Sequence, residues 1–244
     1  MSSPALKRAE PARPRKLVLF DIDGTLLWTD GAGRRAVFGA LFERFGAVDP
    51  GDHRFDGKTD PQIVRELLRK TGVDDAEIDA HLDRILERYY SLLREELDGA
   101  DHREHVFPGV HELLDELEAR DDVVLGLLTG NIEAGAHAKL AAVGIPPQRF
   151  VVGAFGSDHH DRPELPEIAR RRAERVLGHP VAGQDVVVIG DTPADVACGV
   201  GIGARAIGVA TGRYSVEELK ACDAAAVFPD LTDTDAVVRA ILGD

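Results

Sequence analysis

Residues 17–26 read Leu17-Val18-Leu19-Phe20-Asp21-Ile22-Asp23-Gly24-Thr25-Leu26, an apolar run that passes directly into two acids. An unbroken apolar run is typical of a strand buried on both faces of a sheet. Asp21 and Asp23 then stand at the carboxyl end of that strand, where open α/β sheets place their active sites. Gly24 permits a tight turn with unusual backbone angles directly after them.

The same design recurs far down the chain. The apolar run 186–189 leads into Gly190 and Asp191, and Asp195 follows four residues later. Two buried strands that each end in paired carboxylates bring four negative charges together, which is unfavourable unless a cation lies between them. Oxygen ligands suit Mg²⁺. The sequence therefore predicts a Mg²⁺ site formed by these two acids together with Asp21 and Asp23.

Strands and helices alternate along most of the chain. Apolar runs predict strands at 17–20, 123–128, 150–155, 186–189, 206–209 and, more weakly, 225–228. Helical periodicity predicts helices at 109–120, 132–143 and 164–177. Alternation of this kind indicates an α/β fold, a Rossmann-like parallel sheet with helices on both faces.

One segment breaks the alternation. Residues 31–105 carry no strand pattern, but they carry helical patterns at 33–45, 61–71 and 76–97. We therefore predict a core of residues 16–30 and 106–244, an inserted all-helical domain at 31–105, and a disordered tail at 1–15. In the insertion, Pro61 is a good first helical residue, and Asp60 or Thr59 is a good N-cap.

The composition limits the possible partners. The net charge of −14 argues against nucleic acid or an anionic membrane as the main partner. No apolar run approaches membrane-spanning length. The two cysteines, Cys198 and Cys222, have no metal-ligand spacing, so we expect them to be reduced. These features predict a cytoplasmic protein.

Three motifs resemble those of the haloacid dehalogenase superfamily of phosphotransferases. The first is Asp-x-Asp-Gly-Thr at 21–25, the second is Thr129-Gly130-Asn131 after an apolar strand, and the last is Gly-Asp-x-x-x-Asp at 190–195. The resemblance covers about residues 16 to 244. It implies that Asp21 attacks phosphorus and becomes an aspartyl-phosphate, and that Asp23 protonates the leaving alcohol and later activates water.

The resemblance also assigns roles around the phosphoryl group. Thr129 and the Gly130 N–H are expected to bind its oxygens, while Asn131 either helps or caps the next helix. Asp191 is expected to ligate the metal directly, as is the backbone carbonyl of Asp23. Asp195 has three open roles: a direct ligand, a ligand through water, or a group that orients its neighbours.

The third motif of the superfamily is a basic residue, often Lys-Pro, and here the best match is Arg162-Pro163. This chain therefore departs from the lysine form, and Arg162 is the predicted cation beside the transferred group. The basic run 170–172 is expected to form a solvated helix face. The run Asp-His-His-Asp at 158–161 is expected to be a solvated loop, because adjacent side chains on extended backbone diverge.

An all-helical insertion at this point resembles the cap of the phosphoglycolate phosphatase and β-phosphoglucomutase branch. In related caps a loop like 55–61 faces the substrate, which makes Lys58 the first candidate for its distal group; Arg34 and Arg35 are rivals.

The predicted function is a Mg²⁺-dependent phosphatase for a small phosphorylated metabolite, similar to phosphoglycolate or a sugar phosphate. The alternatives are a phosphomutase, a haloacid dehalogenase, which has no need for Asp23, and a binding protein without turnover.

Overall fold

The computed structural model describes residues 16–46, 48, 51–99 and 105–243. The predicted tail at 1–15 lies outside this part of the chain. The strands are β1 Lys16–Phe20, β2 Leu27–Trp28, β3 His105–Val106, β4 Val123–Thr129, β5 Val152–Phe155, β6 Val186–Gly190, β7 Arg205–Val209 and β8 Ala226–Phe228. The helices are α1 Ala32–Phe45, α2 Asp60–Lys70, α3 Asp75–Leu97, α4 Val110–Glu118, α5 Glu133–Ala142, α6 Leu165–Leu177, α7 Pro193–Cys198, α8 Val216–Lys220 and α9 Thr234–Leu242.

Six of the strands form one parallel sheet in the order β5-β4-β1-β6-β7-β8. The first strand is central, and its last residue, Phe20, is in register with Leu127 of β4 and Ile189 of β6. The carboxyl ends of these three strands are therefore almost level. Whatever follows β1, β4 and β6 meets at one edge of the sheet, and the α/β fold predicted from the sequence is confirmed.

Two apolar clusters cover the two faces of the sheet. On one face, the strands pack against α4, α5 and α9 through residues such as Leu113, Leu140 and Ile241. On the other, they pack against α6 and α7 through residues such as Ala169 and Cys198. The central strand contributes alternate side chains to both clusters, which is why its apolar run is unbroken.

A third apolar cluster joins the helical insertion, which we define as α1, α2 and α3. It includes Leu41 of α1, Leu67 of α2 and Tyr89 of α3, with one core residue, Ile132, at its boundary. Within α3 the buried residues recur at helical spacing, as the apolar stripe of the sequence predicts. The division of the chain into two domains remains a prediction.

A two-stranded antiparallel ribbon joins the insertion to the sheet. Leu27 pairs with Val106 and Trp28 with His105, so β2 and β3 lie side by side where the chain enters and leaves the insertion. Each strand has only two residues, too few for an alternating pattern, so the sequence analysis placed no strand here.

The start of β5 differs from the prediction, and the structure decides between the two predicted caps of α2. The strand expected at 150–155 begins only at Val152, because a 3-10 turn at Pro147–Arg149 precedes it and the Phe150 N–H donates to the Pro147 carbonyl. Thr59 is the N-cap of α2, so the alternative of Asp60 as the cap is wrong. No helix in the described ranges combines the length and the apolarity needed to cross a bilayer.

Candidate active site

Three carboxylates meet at the carboxyl edge of the sheet. Asp21 follows β1, Asp191 follows β6, and Asp195 lies in the first turn of α7; one oxygen from each falls within 4.8 Å of the others. All three side chains are buried. The backbone fixes the first of them, because the Asp21 N–H donates to the Ile189 carbonyl at 2.9 Å. Three of the four acids predicted to meet at the two strand ends therefore do so, and the carboxylate of the fourth, Asp23, is not part of this cluster.

Two glycines leave space for the Asp191 carboxylate because they lack a Cβ atom. A Cβ atom on Gly24, whose φ is +87°, would overlap the Asp191 carboxylate, and so would one on Gly212. The Thr25 hydroxyl donates to Asp191 Oδ1 at 3.1 Å. These contacts explain why a glycine and a hydroxyl residue follow the paired acids in the first motif.

Arg162 is the cation of this cluster. It lies in the 3-10 turn Arg162–Glu164 before α6, and its side chain is buried. Its Nη2 lies 3.3 Å from Asp21 Oδ1 and forms a short ion pair with Asp195. Each Nη of a guanidinium carries two N–H donors, so Nη2 alone can contact both carboxylates.

Burial sets the protonation of the cluster. It raises the pKa of Asp21 to about 7, with Arg162 opposing the shift and Asp195 adding to it. Burial likewise raises the pKa of Asp191 well above its ordinary range, and the neighbouring Asp195 and Asp21 add to that effect. Burial alone would lower the pKa of Arg162, but Asp195 and Asp21 hold it above its ordinary value. The acids therefore lack sufficient positive charge from the protein alone.

Both oxygens of Asp195 already have partners. One pairs with Arg162, and the other accepts from the Thr192 N–H at 3.0 Å and from its hydroxyl at 2.7 Å. Thr192 in turn accepts from the Asp195 N–H, which completes a capping box at the start of α7. Among the three open roles of Asp195, orienting its neighbours fits these contacts best.

A second polar group lies beside the carboxylate cluster and is built around Asn131. Its Nδ2 donates to Thr129 Oγ1 at 2.8 Å and to Asp23 Oδ2 at 2.7 Å. The N-cap of α5 is Ile132, with no side-chain cap, so the alternative in which Asn131 caps the helix is wrong. Asn131 instead bridges the Thr129 hydroxyl at the end of β4 and Asp23, the second acid of the first motif.

Lys139 is a site residue that the sequence analysis missed. Its Nζ lies 2.9 and 2.7 Å from the two oxygens of Asp23 and 2.6 Å from Asn131 Oδ1. The signal was available: α5 buries Gly135, Ala136 and Leu140, and Lys139 falls on the same stripe. A lysine on the buried stripe of the helix that follows the second motif is a candidate for a charge partner at the site.

The insertion rests on this edge of the sheet through the residues before α2. The Asp60 N–H donates to the Gly130 carbonyl at 2.8 Å, and the Asp60 carboxylate accepts from the Ile132 N–H at 2.8 Å. A Cβ atom on Gly130 would overlap the Lys58 carbonyl. Gly130 therefore lies under the insertion as well as beside the expected phosphoryl site.

A cavity of about 680 Å³ opens between the insertion and the sheet edge. Its floor includes Asp21, Asp23 and Asp191, and its wall from the insertion includes Arg34 and Lys58. Lys58 pairs with Glu66 at 2.5 Å. The other rival, the exposed Arg35, pairs with Glu96 and the Asp30 carbonyl and does not line the cavity.

Arg34 differs from both of these cations. Its guanidinium lies 4.6 Å from the ring centre of Phe55 and 5.1 Å from that of Phe38, and it donates to the His53 carbonyl at 2.9 Å. In the described ranges no carboxylate lies within ion-pair distance of it.

The two remaining polar runs are local structure. Asp158 pairs with Arg172, and His159 stacks on His160, so the residues at 158–161 do not converge on a common point. Arg170 and Arg171 pair with Glu167 on their own helix. Across the described ranges, only the cluster of Asp21, Asp191 and Asp195 has the geometry to hold a metal ion.

Solved structures share this architecture. CbbY from Rhodobacter sphaeroides, solved in complex with phosphate, has a TM-score of 0.69 at 21% identity, covering 89% of this chain and 95% of that one. A β-phosphoglucomutase from Clostridium difficile has a TM-score of 0.69 at 18% identity, covering 94% and 98%. At these identities the likeness shows a shared fold.

Sequence comparisons found a similar protein and a matching family model. The chain is 28% identical over 229 residues to the probable phosphatase IndB of Dickeya dadantii (strain 3937), which covers 93% of this chain and 95% of that protein. The family model for haloacid dehalogenase-like hydrolases matches residues 18–199, and a model for HAD-hydrolase-like proteins matches 165–234. The match over residues 18–199 spans most of the chain and contains all three motifs. It confirms the family resemblance that the motifs predicted. The chain therefore belongs to the haloacid dehalogenase-like hydrolase family.

Proposed function

We propose that this protein is a Mg²⁺-dependent phosphatase that hydrolyses a small phosphorylated metabolite through an aspartyl-phosphate at Asp21. One observation carries the proposal. A buried carboxylate that follows the central strand lies 3.3 Å from a buried guanidinium and beside two further acids, on the floor of a cavity. Phosphoryl transfer needs this combination of an oxygen nucleophile and concentrated positive charge.

The reaction has two displacements. An Asp21 oxygen forms a bond to phosphorus while the ester P–O bond breaks, and Asp23 gives its proton to the departing alcohol. Water then attacks the phosphorus of the acyl phosphate, Asp23 takes the proton of that water, and the P–O bond to Asp21 breaks. Free phosphate leaves, and both acids return to their starting states.

Two neutral donors and one cation support the transferred group. Arg162 offsets charge on the phosphoryl oxygens and on Asp21, while Thr129 and the Gly130 N–H donate hydrogen bonds to those oxygens. Arg162 is already oriented by Asp195, so little reorganisation is required when the substrate arrives.

The donor set fits Mg²⁺. Asp21 and Asp191 supply carboxylate oxygens, and the Asp23 carbonyl follows in the same turn. The metal would neutralise charge on the phosphoryl oxygens and keep Asp21 ionised near neutral pH, where burial otherwise raises its pKa to about 7. Asp195 acts indirectly, since both of its oxygens have partners.

The cavity wall favours a substrate with an anionic distal group, a carboxylate or a second phosphate. Arg34 carries this assignment, because aromatic rings hold it at the wall and no described carboxylate neutralises it. Lys58 is a weaker candidate than the sequence predicts, because Glu66 already pairs with it. In this role the insertion is a cap over a small cytoplasmic metabolite.

The experiment is a panel of phosphate esters assayed for phosphate release with Mg²⁺ or with a chelator. We expect turnover with Mg²⁺, and faster turnover for esters that carry a distal carboxylate or phosphate. Equal turnover in chelator would exclude the metal. Phosphate exchange between bisphosphate and monophosphate without net release would identify a phosphomutase, and no turnover on any ester would indicate a binding protein.

Four variants separate the cap from the core. Arg162→Ala should lower kcat for every substrate, because transition-state contacts are lost. Arg34→Met should raise KM for esters with an anionic distal group and affect p-nitrophenyl phosphate much less. Arg35→Met is the matched control, since that side chain is turned away from the cavity. If Lys58→Ala reorders the substrates more strongly than Arg34→Met, the distal assignment belongs to Lys58.

A further inference from the structure

Lys139 places a buried ammonium against the second acid of the first motif. Its side chain is 4% exposed, although it extends from a helix of the core. An ammonium has three N–H donors. Three acceptors lie within reach: both oxygens of Asp23, at 2.9 and 2.7 Å, and Asn131 Oδ1, at 2.6 Å. All three N–H donors of the ammonium can therefore be satisfied by Asp23 and Asn131.

We propose that Lys139 is a positioning residue, which holds the Asp23 carboxylate in the orientation from which it serves the leaving-group oxygen. The inference rests on the proposed phosphatase function. Lys139 has no contact with the substrate in this assignment and acts only through Asp23 and Asn131.

Asp23 needs such a partner because few other contacts fix the orientation of its carboxylate. Its side chain is 31% exposed and belongs to a turn outside the sheet. It is not part of the buried cluster of Asp21, Asp191 and Asp195. Its remaining contact is the Asn131 amide at 2.7 Å. Small displacements of a reacting group are costly in rate, so an acid that must meet an oxygen atom requires a fixed carboxylate.

The same contacts connect the acid to the phosphoryl site. Asn131 accepts from Lys139 and donates both to Asp23 and to Thr129 Oγ1, at 2.8 Å. Lys139 therefore fixes the orientation of the Asn131 amide, which in turn aligns the hydroxyl expected at the phosphoryl oxygens. One ammonium sets the relative position of the two groups on either side of the scissile bond.

Stability alone does not explain a lysine here. Burying an ammonium is unfavourable, and an apolar side chain would complete the stripe of α5 at lower cost. The insertion also leaves room for the head group: a Cβ on Gly33 of α1 would lie 3.2 Å from Lys139 Nζ. The ammonium is thus enclosed between the core and the insertion, away from bulk water that would weaken its hold on Asp23.

The test uses the leaving group. A p-nitrophenolate departs without a proton, whereas an alkoxide needs one from Asp23. We compare kcat/KM, which reports the first displacement, for p-nitrophenyl phosphate and for an alkyl phosphate with Mg²⁺ present. In Lys139→Met the ratio of aryl to alkyl kcat/KM should rise by about 10²-fold, the usual contribution of a general acid. Lys139→Arg should restore part of the alkyl rate, and the exposed Lys220→Met should leave the ratio unchanged.

A double variant shows whether Lys139 acts through Asp23. Asp23→Asn should raise the same ratio, and Lys139→Met added to it should change the alkyl rate by less than about threefold, because coupled residues are not additive. Equal losses on both esters, or full additivity, would overturn the inference. Should Lys139→Met fold poorly, as thermal melting will show, Lys139→Gln provides the same comparison. If Asp23→Asn shows the leaving-group effect and the lysine variants do not, the inference fails while the proposed function stands.

Discussion

Asp21 is subject to two opposing requirements. As the proposed nucleophile it must be ionised and free of water, yet burial raises its pKa to about 7. Arg162 and a bound cation can satisfy both requirements together, because each favours the charged form without hydrating it. The reactivity of Asp21 should therefore depend on the positive charge beside its carboxylate.

Replacing that carboxylate gives the most direct prediction. Asp21→Asn keeps the size of the side chain but removes the attacking charge, so phosphate release should fall by on the order of 10³-fold or more. Thermal melting should show an intact fold, with unchanged or higher stability in chelator, because one of three clustered acids has become neutral. Near-normal turnover in the folded variant would contradict the mechanism.

Asp60 provides a test of stability against pH. Burial raises its pKa from 3.8 to about 6, with Lys139 opposing the shift. Between these two values the folded protein holds a proton that the unfolded chain has lost, so this residue lowers the free energy of unfolding as the pH rises. Asp60→Asn removes the effect. Relative to wild type, the free energy of unfolding of the variant should therefore increase by up to about 3 kcal/mol as the pH rises from 4 to 7.

Urea unfolding of both proteins in chelator measures that difference. A constant offset between the two unfolding free energies across this pH range would mean that Asp60 does not titrate as its burial implies. Asn can still accept from the Ile132 N–H, so the comparison isolates the charge.

At the scale of elements, the contact between the end of β4 and the start of α2 is made of backbone. A Cβ on Gly130 would overlap the Lys58 carbonyl, and the Asp60 N–H donates to the Gly130 carbonyl. Gly130→Ala should therefore push the insertion away from the sheet edge. We expect kcat/KM to fall by about 10- to 100-fold for every substrate. Gly201→Ala is the control, because nothing lies within 4 Å of a Cβ there.

The strand ends were predictable and the side-chain pairs were not. Parallel strands align their carboxyl ends, so the apolar runs before Asp21 and Asp191 were enough to predict that these acids meet. The pair of Lys139 with Asp23 spans 116 residues and depends on how α5 rotates under the insertion. The pair of Lys58 with Glu66 likewise depends on packing within the insertion. Periodicity indicates which face of a helix is buried, but not which polar group that face meets.

At the scale of the whole molecule, the proposed function requires an acidic protein to draw in an anionic substrate. The net charge of −14 opposes that approach, and the cluster of three buried acids adds to the opposition. In the cavity, Arg162, Lys139 and Arg34 oppose the charge of the acids that line it, and in the proposed function a metal supplies further positive charge. Binding should therefore depend on Mg²⁺ more strongly than on ionic strength.

Metal binding should also be visible in global stability. A ligand that binds only the folded state at about 100 times its Kd adds about 2.7 kcal/mol. For a chain of this size that corresponds to a rise in Tm of roughly 5–10 °C. Asp191→Ala should abolish the rise, and the exposed Asp121→Ala should retain it. An unchanged Tm in wild type on addition of Mg²⁺ would contradict the assignment of the metal.

The ribbon of β2 and β3 has a mechanical consequence. Because Trp28 and His105 are paired, the two connections to the insertion are held one strand spacing apart, about 5 Å. A single connecting segment would let the insertion rotate in any direction. Two hydrogen-bonded strands bend mainly about one axis and resist twisting. The same spacing is what a two-residue turn such as Asn-Gly closes. The backbone is therefore already arranged for the insertion to be excised or exchanged as one cassette, with a single splice point on the sheet side.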